Sequence, residues 1–85
     1  MEVQKNDITT EFHKYSLLFA VYDELDAFLE KKNACVLDNS PSNRMYMAAA
    51  FDLVYTSLKH EMHSGRISES DFWHLKKVLQ EETII

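Results

Sequence analysis

Eighty-five residues with 46% hydrophobic content are enough for one domain with its own core. One glycine and one proline exclude an all-β or loop-rich fold, which needs a turn residue about every ten positions, and one cysteine excludes an internal disulfide framework or a cysteine-built zinc ribbon. Fourteen acids against nine bases give a formal net charge of −5, a balance that phosphate backbones and anionic lipid repel.

The opening residues 1–8 read as a flexible, polar N-terminus. They show no basic region leading into an apolar stretch, so no secretory signal is expected, and a lone thiol fits a cytoplasmic setting. No apolar run reaches the roughly 18–20 residues that span a bilayer.

A first helix is predicted over about 9–32. Asp7, Thr9 and Thr10 are candidate N-caps, and Glu11 sits in the first turn. At 100° per residue, Phe12, Tyr15, Leu18, Phe19, Tyr22, Leu25 and Leu29 share one broad face. Leu17, Val21 and Phe28 form a second strip, with only Lys14 and Lys32 between the two. An amphipathic helix needs an apolar stripe of only about 100°, and this one covers well over half its girth. The surplus predicts a homodimer or a partner seated on Leu17, Val21 and Phe28.

Residues 33–39 read as a loop. Ser40-Pro41 then opens a second helix over about 41–64, because serine caps and proline is preorganised for the first helical position. Met47, Phe51, Val54, Tyr55, Leu58 and Met62 share its main face, and Tyr46 with Leu53 forms a minor strip. Gly65 can end that helix in the left-handed conformation. Ser68-Glu69-Ser70-Asp71 reads as a capping box, with Ile67 and Phe72 placed as a hydrophobic staple. The third helix, over about 69–82, points Phe72, Leu75, Val78 and Leu79 one way and Trp73 the other. The expected fold is all-α: a three-helix antiparallel bundle, with two long helices as a hairpin and a shorter C-terminal helix folded back, and dimeric.

Chemistry finds little footing. His60 and His63 stand three apart on a helix and could reach one ion. The metalloprotease pattern needs a spacing of four, however, and no third ligand is favoured, so two exposed histidines are the better reading and no metal or other cofactor is expected. Asp23, Glu24, Asp26 and Glu30 crowd the first helix and read as a solvated face or a docking surface for a basic partner. Cys35 has no histidine near it in sequence, and no nucleophile elbow or phosphate loop occurs. Gly65 and the helices on either side of it match a helix-turn-helix in length, but the would-be recognition helix opens with acids, so direct DNA binding is not expected.

The sequence therefore points to a small acidic protein–protein interaction module and not to an enzyme. It would act as a regulator or inhibitor by masking a surface of a target protein, as antiactivators, antitoxins, immunity proteins and phage-encoded inhibitors do. Leu17, Val21, Phe28, Tyr46, Leu53 and Trp73 are its candidate partner-binding residues. A transcription modulator acting through a DNA-binding partner is one alternative, and a His-centred metal-binding protein is another.

Overall fold

A computed structural model describes residues 8–84; the expected flexible start lies outside them, apart from Ile8, which is helical and buried. Four helices follow one another: α1 (Ile8–His13), α2 (Phe19–Leu37), α3 (Pro41–His63) and α4 (Glu69–Glu81). No strand occurs among the described residues, and no helix there is long and apolar enough to cross a membrane. α2 and α3 form the antiparallel hairpin, α4 packs on α3, and α1 lies against α4 and α2.

The best-written boundaries in the sequence are where the chain puts them. Ser40 Oγ accepts the Asn43 N–H at 3.2 Å, with Pro41 at the first helical position. Ser68 Oγ accepts the Asp71 N–H at 3.0 Å, and the Asp71 carboxylate accepts the Ser68 N–H at 3.4 Å, which completes the capping box. Gly65 takes φ +84°, and Ile67 and Phe72 are both buried in one core cluster, as a staple requires.

Two boundaries differ from expectation. α2 continues to Leu37 through the stretch read as a loop. Asn33 is a poor helix former, but Cys35 is fully buried, and packing outweighs propensity. The end of α2 is closed from the other helix: Asn43 Nδ2 donates to the Ala34 carbonyl at 3.3 Å and to the Asp38 carbonyl at 2.7 Å.

The larger difference is that the first helix is two helices. Residues 14–18 leave the helix, so the bundle has four elements and not three. No glycine or proline forces this break, and Leu18, at the N-cap of α2, supplies no side-chain cap. Groups from elsewhere supply what the open turn lacks. The Tyr22 hydroxyl donates to the Tyr15 carbonyl at 2.8 Å and lies 3.4 Å from the Leu17 N–H. The Leu18 N–H donates to Glu61 Oε1 at 3.0 Å, across 43 positions of chain. The break lets α1 fold back and bury Ile8 and Phe12.

This rearrangement corrects the girth argument. Leu17, Val21 and Phe28 do not face a partner; all three lie in the core with Leu25, Val54, Leu58, Phe72, Leu75 and Leu79. Val21, Leu25, Phe28 and Cys35 recur at spacings of three, four and seven, the seam of a packed helix pair, and the strip read as surplus is the seam itself. The apolar excess of one long rod is divided between two helices meeting at an angle.

Candidate functional site

With Leu17, Val21 and Phe28 internal, three of the expected contact residues remain at the surface. Tyr46 is 60% exposed, Leu53 57% and Trp73 53%. They do not form one site. On α3, Tyr46 and Leu53 fall on the flank that meets α2, while Tyr55, nearly opposite on the helix wheel, meets α4.

The α2 flank is defined by two contacts between the helices. The Lys31 ammonium lies 5.9 Å from the centroid of the Tyr46 ring. Two turns away along α2 and three along α3, the Ser57 hydroxyl donates to the Glu24 carboxylate. Ala27, exposed on α2, lies between Glu24 and Lys31, and Leu53 and exposed Ala49 lie between Tyr46 and Ser57. Small residues on both helices thus leave Tyr46 and Leu53 standing proud of a shallow apolar edge. Asp23 and Glu30 are exposed on the outer side of Ala27, one turn before and one after it.

The tip of the hairpin exposes further apolar side chains. Val36, Leu37 and Met45 are exposed by 57%, 87% and 71%. Sequence reasoning missed Val36 and Leu37 because they fell in the presumed loop. Met45 carried a signal, being apolar and next to Tyr46, but it lies off the main stripe. Large apolar side chains gathered on one end of a small fold mark an interaction surface more often than chance exposure does.

The α4 flank is more polar. Trp73 packs edge-on against Phe72, with the Lys76 ammonium 5.3 Å from the tryptophan ring centroid. Lys59 and Lys76 also lie over Tyr55 at 5.3 and 5.8 Å. Trp73 here packs on the Phe72 ring edge beneath the Lys76 side chain and keeps half its surface exposed.

Sequence reasoning passed over Glu61. It is 1% exposed on the core stripe of α3. Its carboxylate accepts the Leu18 N–H and the Arg66 Nε–H, each at 3.0 Å. Its carbonyl accepts the Arg66 N–H at 3.0 Å and the Ser64 hydroxyl at 3.0 Å. An acid three positions after Leu58 and seven after Val54 falls on the apolar stripe, and a buried charge there requires a partner; that signal was legible. The neighbouring His60 and His63 line a depression of about 210 Å³ with Thr56 and Lys59. Among the described residues no three metal-ligating side chains converge. A second depression of about 270 Å³ lies between Met47, Phe51, Gln80 and Thr83. Both are smaller than the roughly 300–1,000 Å³ usual for small-molecule sites.

At the α1–α4 contact, Glu11 Oε1 lies 3.0 Å from His74 Nε2, and Lys14 Nζ donates to Glu11 Oε2 at 2.9 Å. The hydrogen bonds from His74 and then Lys14 hold the Glu11 carboxyl below the usual carboxylate range. Burial, with Asp71 and Glu11 close by, pushes the Tyr15 phenol up. No protein-family model, no curated protein and no solved structure matches the chain.

Proposed function

We propose that this protein is a small interaction module that acts as a regulator or inhibitor by covering a surface of a target protein with the outer edge of its α2–α3 hairpin. The observation that carries the reading is the exposure of Tyr46 and Leu53 on one edge of that hairpin, with Met45, Val36 and Leu37 exposed at its tip. Tyrosine supplies large contact area at low entropic cost, and the small Ala27 and Ala49 beside it allow a partner's backbone or side chain to approach closely. The exposed Asp23 and Glu30 along the same edge favour a basic rim on the target, which would steer encounter and fix register more than it would add affinity.

The test is affinity capture from the native cell with wild type and with Tyr46→Ser/Leu53→Ser. The reading expects a partner recovered with wild type and reduced at least tenfold with the double variant. Trp73→Ser, on the opposite flank, should leave recovery unchanged. Equal recovery with wild type and the double variant would remove this edge as the binding surface.

A further inference from the structure

We propose that two copies of this chain exchange α1: residues 14–18 straighten, α1 and α2 become one continuous helix, and α1 of each copy takes its seat against α4 and α2 of the other. The dimer so formed does not use the hairpin edge, so the inference stands independently of the functional reading.

The local code favours the straight form. The hinge Lys14-Tyr15-Ser16-Leu17-Leu18 contains no glycine or proline, and its helical periodicity runs unbroken from Phe12 through Tyr22. The N-cap of α2 is Leu18, a residue whose side chain cannot cap. The bent form is held by side chains instead of a cap: from a distance by Glu61 on the Leu18 N–H, and from nearby by the Tyr22 hydroxyl on the hinge backbone and the His13 ring stacked on Tyr22 at 4.4 Å. In a continuous helix the Leu17 and Leu18 N–H groups would find the carbonyls four residues back, so straightening leaves neither unpaired.

A second observation points the same way. Leu18 is 49% and Phe19 86% exposed in the bent chain. Both belong to the Phe12, Tyr15, Tyr22 face, which becomes one stripe only when the helix is continuous. A pair of exposed apolar residues at the hinge is what the new contact between two straightened copies would bury.

The occupant follows from the seat. Ile8 and Phe12 fill their places at 3% and 0% exposure, and Glu11 meets His74. A second copy offers the same surface with nothing to redesign, which is why exchange of an element is a low-cost route to a dimer, and a short hinge invites it. The straight helix from residue 8 to 37 would be about 45 Å long, enough to carry α1 clear of its own bundle.

The experiment refolds the full chain over a range of concentrations and reads mass by light scattering after size exclusion. Wild type should give a dimer whose share rises with refolding concentration. Phe19→Pro separates the two forms. Position 19 opens α2, where its N–H is not needed, and Leu18 at φ −68°, ψ 152° already suits a following proline. The bent monomer therefore tolerates proline, and a continuous helix does not. The dimer share should fall at least tenfold, with helical circular dichroism unchanged. Phe19→Ser removes the exposed ring but permits straightening, and should keep most of the dimer. In a Cys35→Ser background, mixing Glu11→Cys chains with His74→Cys chains before refolding should give a crosslink between chains with a short bismaleimide, within the dimer peak. A wild type that is monomeric at every concentration overturns the proposal. So does a dimer untouched by Phe19→Pro, or one without the interchain crosslink.

Discussion

Glu61 shows how one side chain can decide local structure far from itself. Its carboxylate pairs with Arg66 and accepts the Leu18 N–H, so removing it strands a donor at the hinge and leaves the half-exposed Arg66 guanidinium to water. Glu61→Ala should cost about 2–3 kcal/mol in urea unfolding, within the range for hydrogen bonds to charged groups, whereas Glu61→Gln, which keeps an acceptor, should cost clearly less. Gly65 is a simpler case. A Cβ there would meet nothing within 4 Å, so Gly65→Ala carries only the backbone penalty of φ +84°, about 1–2 kcal/mol, and Gly65→Asn should cost less than that. Glu11 provides a pH signature. Its carboxyl is held low in the folded chain, so the stabilisation is present above the unfolded carboxylate value and is lost as pH falls through the lower folded value. Carboxyl NMR should find Glu11 titrating below a free glutamate, and His74→Ala should move it back up.

At the scale of elements, α3 and α4 were legible because their signals are local: Ser40-Pro41, Gly65 and the Ser68–Asp71 box act within a turn of where they stand. The end of α2 and the break after α1 were not legible for the opposite reason. Asn43 closes α2 from another helix, and Glu61 holds the break from 43 positions away. Periodicity alone therefore joined α1 to α2, and the seam residues Val21 and Phe28 looked like surplus. The hairpin edge was half legible: Tyr46 and Leu53 lie off the main stripe of α3, but Val36 and Leu37 were hidden by the loop reading. α1 is the element most easily lost, since Ile8 and Phe12 are its main anchors. Phe12→Ala should cost about 3–5 kcal/mol if the bundle unfolds as one unit. If α1 detaches first, hydrogen exchange should show its amides unprotected while those of the α2–α3 hairpin stay slow.

For the whole molecule, core and contact edge are separable. Tyr46 and Leu53 are more than half exposed, so replacing either with serine should change stability by no more than about 0.5 kcal/mol, measured by thermal melting, while altering target capture. The same replacement at Leu58 or Leu75, both at 0% exposure, should unfold a chain this small. The bond from Leu18 to Glu61 also sets an order of events. A ribosome delivers residues 8–37 well before position 61, so the emerging segment has no carboxylate to fold its hinge around. Until the end of α3 is released, the elbow rests on contacts made within residues 8–37, the Tyr22 hydroxyl on the Tyr15 carbonyl and the His13 ring on Tyr22, and its last bond closes only when Glu61 arrives.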